Sequence, residues 1–151
     1  DLGAGNGALG IIAKRLQPEV GVSFVDESYA AIKSARENYS IENPEDQAHF
    51  YISNALAQYN GDKADLILCN PPFHQSHGIG DQIAWEMFIQ SRDALEINGE
   101  LWIVGNRHLG YHIKLKKVFG NCRTIAANKK FVILAAKKAD RLLRRETINR
   151  K

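Results

Sequence analysis

The first residues of the chain form a glycine-rich segment suited to holding a nucleotide-like ligand. Gly3, Gly5 and Gly7 alternate with other residues in the stretch DLGAGNG, and a helical pattern follows. Glycines let the backbone turn tightly and let a ligand approach main-chain N–H groups at the start of a helix. Asp26 ends the next predicted strand, where an acid accepts hydrogen bonds from ribose hydroxyls. The loop and its acid predict a site for an adenosine-containing cofactor.

Two features of the loop bear on which cofactor it holds. The spacing Gly3-x-Gly5-x-x-Ala8 also fits nicotinamide and flavin sites. Asp1 before the loop and a third glycine at position 7, however, resemble the D-x-G-x-G-x-G loop of S-adenosylmethionine-dependent methyltransferases. Enzymes of that class place a polar contact to the adenine ring just after the third predicted strand, where this chain has Asn54 and Ala55. A strand-terminating turn is the alternative interpretation of Asn54.

The tetrapeptide Asn70-Pro71-Pro72-Phe73 follows a predicted buried strand and has the chemistry to bind an exocyclic amine. Such an amine is a poor nucleophile because its lone pair is delocalised into the ring. The side-chain carbonyl of Asn70 and the backbone carbonyl of Pro71 can accept its N–H bonds, which favours charge development on the nitrogen during attack. The prolines stiffen the turn, and Phe73 offers a face for base stacking. A plain turn with a buried Phe is the alternative.

Several segments together resemble the catalytic domain of bacterial ribosomal RNA guanine-N2 methyltransferases. Besides the loop and the NPPF tetrapeptide, they are residues 85–88, 99–104, 106–111, 114–120 and 128–131. The stretch Asn106-Arg107-His108-Leu109 is closest to the large-subunit (23S) branch. The resemblance covers about residues 1–138, and Ala4 departs from it, since the family usually has Cys there.

The resemblance implies a role for each matching residue. The cofactor is S-adenosyl-L-methionine, with its methionine end on Asp1 and the three loop glycines, its ribose on Asp26 and its adenine on Asn54 and Ala55. The catalytic set is Asn70, Pro71 and Phe73, and the further substrate contacts are Pro72, His74, Arg107 and His108. We interpret His74 as shaping the pocket and not as a proton acceptor. The target guanine must leave its stack in the RNA to reach such a site.

Apolar runs alternate with helical patterns along the chain, which predicts a doubly wound α/β fold with a mainly parallel sheet covered on both faces. Ser28 is the predicted cap of the second helix. The predicted strands are residues 20–26, 49–53, 64–69, 100–104 and 130–136, and predicted helices cover 11–16, 81–97 and 111–119. The helix that Ser28 caps has its apolar positions at Ala31, Ile32, Ala35 and Tyr39. Asn98 and Gly99 are expected to end the third helix.

The domain boundaries are also predicted from the resemblance. Residues 1–138 correspond to the catalytic domain, and residues 139–151 form a basic tail. The family carries an N-terminal domain and a first strand of which this sequence has only Asp1 and Leu2. We therefore expect the segment alone to bind cofactor poorly and to methylate RNA negligibly, because the neighbouring strands, which end at Asp26 and Asn70, each lose a ladder partner.

Composition sets limits on partners and compartment. The formal charge is +3, with basic residues clustered after residue 136 and around Arg107, His108, Lys114, Lys116 and Lys117, which favours RNA as the partner. No apolar run is long enough for a membrane span. Cys69 and Cys122 are predicted to be reduced thiols of a cytoplasmic protein, and neither a metal site nor a DNA partner is expected.

Other enzyme classes stay open as alternatives. A small-subunit (16S) guanine-N2 methyltransferase or a protein-glutamine N5 methyltransferase would use the same turn after the strand. A nicotinamide-dependent oxidoreductase or a non-catalytic nucleotide-binding module would use the glycine loop alone and leave Asn70 to Phe73 without a purpose.

Overall fold

Two pairs of parallel strands lie side by side and are joined through the opening residues of the chain. In the computed structural model, which describes residues 1–72 and 77–140, β1 (Ser23–Asp26) pairs with β2 (His49–Ile52). The second pair is β3 (Ala64–Cys69) with β4 (Leu95–Asn106). Leu2 lies between the pairs, in parallel bridges with Val25 and Cys69. The opening residues thus partner the carboxyl ends of both inner strands.

Within residues 1–72 and 77–140, four α-helices follow the glycine loop or connect the strands. They are α1 (Ala8–Leu16), α2 (Tyr29–Glu42), α3 (His77–Ala94) and α4 (Tyr111–Phe119). Helices α1 and α2 pack with β1 and β2 around a small aromatic core that contains Phe24, Tyr39 and Phe50. Helices α3 and α4 pack against the other strands around a larger core. The doubly wound α/β prediction is confirmed.

Helix α2 begins and packs as its sequence predicts. Ser28 is the N-cap, and its Oγ accepts a hydrogen bond from the Ala31 N–H at 3.3 Å. Ile32, Ala35 and Tyr39 are the buried residues of the helix. A capping side chain and a stripe of apolar residues at helical spacing are enough to predict this helix, because both depend only on residues close together in the sequence.

The far edge of the sheet differs from the prediction. The final strand, β6 (Phe131–Lys137), runs antiparallel to β4, and β5 (Arg123–Ala127) runs antiparallel to β6 at the edge. The prediction did not include β5, in which every residue is exposed. An edge strand without a buried face has no alternating apolar pattern, so its sequence gives no signal of period two.

The predicted end of α3 at residue 97 is wrong. The helix ends at Ala94, and Leu95 pairs with Ala64 as the first residue of β4, where it is fully buried. Asn98 has a φ of +70°, and its N–H donates to the Lys138 carbonyl at 2.8 Å. Burial of Leu95 and this pairing outweigh the helical spacing of the local sequence, so Asn98 and Gly99 lie within a strand instead of closing a helix.

The sheet is not covered on both faces along its whole width, which corrects the prediction. On one face of β3, β4 and β6, the side chains under α3 and α4 are buried, among them Ile67, Leu101 and Leu134. On the opposite face, Leu66 is 46% exposed and Ile133 is 36% exposed. In the described part of the chain, α1 and α2 pack on β1 and β2 and do not cover this surface.

Both cysteines are free thiols. Cys69 is buried beside Leu2, and desolvation raises the pKa of its thiol to about 12. None of the described helices has the length and apolar character that crossing a membrane requires.

Candidate active site

Main-chain hydrogen bonds fix the glycine loop at the carboxyl ends of β1 and β3. The Leu2 N–H donates to the Leu68 carbonyl at 2.8 Å, and the Gly3 N–H donates to the Val25 carbonyl at 2.9 Å. The Val25 N–H in turn donates to the carbonyl of Asp1 at 2.9 Å. The position of the loop relative to the sheet is therefore fixed. The loop lies at the edge where open α/β sheets bind ligands.

Glycine is required in the loop for conformation at three positions and for space at two of them. Gly3, Gly5 and Gly7 have φ values of +71°, +55° and +84°, a region that side chains disfavour. A Cβ on Gly7 would lie 3.1 Å from the Cβ of Ala35, whereas one on Gly5 would meet nothing within 4 Å. The open side at Gly5 is where a ligand can approach the backbone.

Asp1 caps helix α1 through space. The N-cap residue of α1 is Gly7, which has no side chain to offer, and Oδ2 of Asp1 accepts the Gly10 N–H at 2.9 Å instead. The other oxygen, Oδ1, is buried and has no hydrogen-bond partner among the described residues. Buried acceptors are nearly always paired, so this oxygen is suited to a donor from a ligand.

Asp26 fastens the loop to the start of α2. Its Oδ2 accepts the Gly5 N–H at 2.9 Å, and its Oδ1 accepts the Ser28 N–H at 2.9 Å. A carboxylate offers about four lone-pair sites, so two of them remain free for hydroxyl donors. The structure thus brings together the loop and the acid that the sequence singled out.

Asn54 and Ala55 lie beside Asp26, in the turn after β2. The Ser53 N–H donates to the Asp26 carbonyl at 2.9 Å, which joins the ends of β1 and β2. Asn54 is exposed, and its backbone N–H donates to Oε1 of Gln58 at 2.8 Å. Ala55 has a φ of +48°, an uncommon conformation for a residue with a Cβ. The side chain of Asn54 remains available to a ligand at this edge.

The Asn70-Pro71 peptide adjoins the glycine loop directly. A Cβ on Gly3 would lie 3.2 Å from the backbone carbonyl oxygen of Asn70. Pro71 is buried, whereas Asn70 and Pro72 are exposed. The predicted residues Phe73 and His74 lie outside the described residues. The glycine loop and the turn after β3 therefore form one continuous surface.

Arg107 and His108 belong to a 3-10 turn, Arg107–Leu109, that follows β4 at the same edge of the sheet. Both are exposed, and Nη1 of Arg107 donates to the Asn128 carbonyl at 3.1 Å. In the basic cluster nearby, Nζ of Lys114 lies 2.7 Å from Oδ1 of Asp81. The cluster is therefore partly occupied with holding α4 to α3.

Several residues of the site were not predicted from sequence. Gly10 and Ser28 contribute backbone N–H groups, Gln58 orders the turn at Asn54, and Asn106 ends β4 with a buried amide oxygen. A backbone N–H group does not depend on the residue's side chain, so the types and spacing of residues in the sequence could not reveal these donors. Within the described residues, no group of three His, Cys, Asp or Glu side chains is placed to hold a metal ion.

This edge of the sheet combines two carboxylates, a glycine loop held by hydrogen bonds and a carbonyl-bearing turn that contains two prolines. Residues 1–135 match the family described as the methyltransferase small domain. The chain belongs to that family. The match covers the loop, both acids and the turn after β3.

Curated relatives of the domain are bacterial ribosomal RNA methyltransferases. It is 55% identical over 138 residues to the ribosomal RNA large subunit methyltransferase G of Pseudomonas paraeruginosa, and 52% identical over 139 residues to that of Stutzerimonas stutzeri. These alignments cover 91% and 92% of this chain. The chain spans 37% of the length of both relatives.

Solved structures share the fold. The T. thermophilus 16S rRNA N2 methyltransferase RsmC, solved in complex with AdoMet and guanosine, superposes with a TM-score of 0.77 at 27% identity, covering 91% of this chain and 36% of that one. A ribosomal protein L11 methylase from Lactobacillus delbrueckii subsp. bulgaricus gives a TM-score of 0.70 at 20% identity and covers 90% of this chain and 67% of that one. The chain therefore has the class I, Rossmann-like fold of S-adenosylmethionine-dependent methyltransferases.

Proposed function

We propose that this methyltransferase domain transfers a methyl group from S-adenosyl-L-methionine to the exocyclic N2 of a guanine in ribosomal RNA, and that the RNA is the large-subunit 23S species. The observation that carries the proposal is the contact between the glycine loop and the Asn70-Pro71 peptide. A Cβ on Gly3 would lie 3.2 Å from the Asn70 carbonyl oxygen. A methyl donor held by the loop and an amine held by the turn would therefore be neighbours.

The groups present at the loop fit S-adenosylmethionine. This cofactor has an ammonium group and two ribose hydroxyls as donors, and the site offers acceptors for both. The unpartnered Oδ1 of Asp1 suits the cationic end, and the free lone pairs of Asp26 suit the hydroxyls. Asn54, exposed beside Asp26, is the proposed contact to adenine, with Ala55 in the same turn. When bound, the cofactor supplies an electrophilic methyl group on a sulfonium.

Asn70 and Pro71 are the proposed binding groups for the amine. The side-chain oxygen of Asn70 and the carbonyl of Pro71 would accept the two N–H bonds of the guanine amine. Both are acceptors, so they become better matched to the nitrogen as it gains positive charge during attack. The burial of Pro71 holds the peptide rigidly, which limits the reorganisation needed to reach the transition state.

No base is needed before the attack, since the amine becomes acidic only after it has gained the methyl group. Asn70 and Pro72 are exposed, so water can take the proton from this edge. We assign to Phe73 the stacking of the base and to His74 the shaping of the pocket. Pro72 is a proposed substrate contact next to them.

RNA phosphates are the proposed partners of Arg107 and His108. Both are exposed on the turn that follows β4. Strand β4 is the neighbour of β3, and Asn70 follows the end of β3. Cationic side chains at the rim of a base site neutralise phosphates and hold the strand while the base is turned out of its stack. A ribosomal RNA substrate would place the protein in the bacterial cytoplasm.

The large-subunit assignment is supported by the similarity to the relatives. Identity reaches 55% with a large-subunit methyltransferase and is 27% with the structurally similar small-subunit enzyme. The segment from Asn106 to Leu109 carries the sequence resemblance to the large-subunit branch.

A methyl-transfer assay tests the proposal. Because the segment alone is expected to bind cofactor poorly, the domain is purified together with the N-terminal domain that the resemblance implies. With tritium-labelled S-adenosylmethionine, it is offered unmodified 23S rRNA, unmodified 16S rRNA and a release-factor protein in parallel. We expect label in the 23S RNA, recovered as N2-methylguanosine after digestion to nucleosides. Label mainly in 16S RNA would overturn the large-subunit assignment, and label in glutamine or in no substrate would overturn guanine methylation.

A further inference from the structure

Asn106 carries a buried side-chain oxygen that no described residue binds. It is the last residue of β4, and its Oδ1 is one of three buried side-chain polar atoms without a hydrogen-bond partner among the described residues. Another of the three, Oδ1 of Asp1, lies at the same edge of the sheet. Buried polar atoms in folded proteins are nearly always paired, so an unpaired one requires an explanation.

The usual structural role of an asparagine at this position is not used. Asn106 is the N-cap of the 3-10 turn Arg107–Leu109, a position that favours Asn because its side chain can accept a turn N–H. Here the side chain makes no such bond. The backbone is nevertheless held firmly, because Asn106 pairs with Phe131 and the Arg107 N–H donates to the Lys130 carbonyl at 3.0 Å. The unpaired oxygen therefore does not result from a loose strand end.

The strand register places Asn106 at the proposed guanine site. Ile103 of β4 is paired with Cys69 of β3, so Asn70 is level with Val104. Asn106 lies two residues further, about 7 Å along the strand direction, on a strand about 4.8 Å away. The two asparagines thus lie on neighbouring strands at the same edge of the sheet, close enough for one base to contact both side chains.

We propose that Oδ1 of Asn106 accepts the N1–H of the target guanine and thereby selects guanine as the substrate base. The inference rests on the proposed function. Guanine presents N1–H directly beside its N2 amine. With the amine hydrogens taken by Asn70 and Pro71, N1–H is the remaining donor on that edge. An analogue that lacks this donor leaves the buried acceptor unpaired. The cost of that unpaired acceptor gives a strong preference for guanine over the analogue.

The test compares guanine with 2-aminopurine at the target position of the RNA, because 2-aminopurine keeps the exocyclic amine and has no N1–H. We expect the parent protein to methylate guanine with a kcat/KM roughly 10²-fold or more above that for 2-aminopurine. Asn106→Ala is expected to lower kcat/KM for guanine by roughly 10- to 100-fold and to leave that for 2-aminopurine unchanged. Asn70→Ala is expected to lower both.

Two further variants separate recognition from folding. Asn106→Ser keeps a capping hydroxyl for the 3-10 turn but is too short to replace Oδ1, so it should behave as the Ala variant does. Asn106→Asp keeps an acceptor and should retain the preference for guanine over 2-aminopurine. Equal loss of both activities in the Ala variant, or full guanine preference in the Ser variant, would overturn the inference alone. Absence of guanine methylation by the parent protein would overturn the proposed function first.

Discussion

Two carboxylates hold the glycine loop in shape and still keep acceptor sites for a ligand. Asp1 binds the Gly10 N–H through one oxygen, and Asp26 binds the N–H groups of Gly5 and Ser28. Each acid supplies a hydrogen-bond acceptor that the loop glycines, which have no side chain, cannot supply. At the scale of single residues, the site is thus built by side chains that stabilise the backbone and offer their remaining lone pairs to the ligand.

Asp26→Ala tests this double role. We expect the affinity for S-adenosylmethionine to fall by about 1.5–3 kcal/mol, because a charged acceptor for the hydroxyls is removed and the loop loses an anchor. Isothermal titration calorimetry measures it. Glu27→Ala is the matched control, since it removes an exposed acid next in the chain. Unchanged affinity in the Asp26 variant would contradict the ribose assignment.

Asn70→Ala tests the amine site separately from the cofactor site. We expect the single-turnover methylation rate to fall by roughly 10²–10³, the scale for losing one contact made in the transition state, with cofactor affinity nearly unchanged. Asn60→Ala, at another exposed asparagine, serves as the control and should methylate at the parent rate. A parallel loss of cofactor binding would assign Asn70 to the cofactor pocket.

Among the elements, α1 lies unusually close to β1. A Cβ on Gly10 would lie 2.4 Å from Cε1 of Phe24 and 3.0 Å from Cγ1 of Val22. Phe24 is fully buried and stacks on Phe50 with ring centroids 5.1 Å apart, so it has no space into which to move. The absence of a side chain at Gly10 therefore sets the distance between this helix and the sheet.

Gly10→Ala should destabilise the domain by about 1–3 kcal/mol, because the added methyl forces α1 away from Phe24. The loop at the N-terminus of α1 would move with it, so cofactor affinity should fall as well. Urea denaturation measures the first effect and calorimetry the second. Gly21→Ala is the control, since a Cβ there meets nothing within 4 Å. Equal stability of the two variants would show that α1 has room to adjust.

The edge strand β5 is attached partly by charge. Nη1 and Nη2 of Arg123 each donate to a carboxylate oxygen of Glu100 on β4 at 2.9 Å, across the intervening β6. The Trp102 indole N–H also donates to Glu100, at 2.8 Å. The guanidinium of Arg123, with this N–H, holds the pKa of Glu100 below its usual value.

Arg123→Gln should lower stability in a pH-dependent way. A lowered pKa in the folded state means that the pair stabilises the fold above the unfolded pKa of Glu100 and loses its effect as pH falls through the folded pKa. We therefore expect a lower urea midpoint than in the parent at pH 7, and a difference that shrinks as pH falls below the ordinary pKa of a glutamate, about 4.3. Lys117→Gln removes an exposed cation elsewhere and controls for net charge. A difference that does not shrink with falling pH would contradict an electrostatic origin.

Across the whole molecule, stability is unevenly distributed between the two faces of the sheet. The face under α3 and α4 holds the larger core, with Leu101 fully buried, whereas Leu66 on the opposite face is 46% exposed. Apolar area removed from water is the main contribution to stability. The two faces should therefore respond differently to the same substitution.

Leu101→Ala and Leu66→Ala form a matched pair that tests this asymmetry. We expect Leu101→Ala to lower the free energy of unfolding by about 2–5 kcal/mol because it leaves a cavity. Leu66→Ala should cost about 1 kcal/mol or less, since roughly half of the side chain is already in water. Chemical denaturation of both variants gives the values. Similar losses would mean that the exposed face is shielded in solution.

Sequence alone was sufficient for features whose signals are local. The loop glycines, the Ser28 cap, strand β3 and the turn at Asn70 each depend on neighbouring residues, and parallel strand order then brings the strand ends to one edge. The sequence did not predict β5, and it predicted the wrong residue for the end of α3. These depend on pairing with residues far along the chain, namely Ala135 with Arg123 and Ala64 with Leu95.

Tertiary structure decided the contacts that give the site its chemistry. The Asp1 oxygen that caps α1, the hold of Asp26 on Gly5 and the unpaired oxygen of Asn106 involve atoms whose proximity no local pattern encodes. Residue type states which hydrogen bonds a side chain is able to make. Which of them it does make depends on the distances between folded elements, because hydrogen bonds weaken steeply outside a narrow range of length and angle.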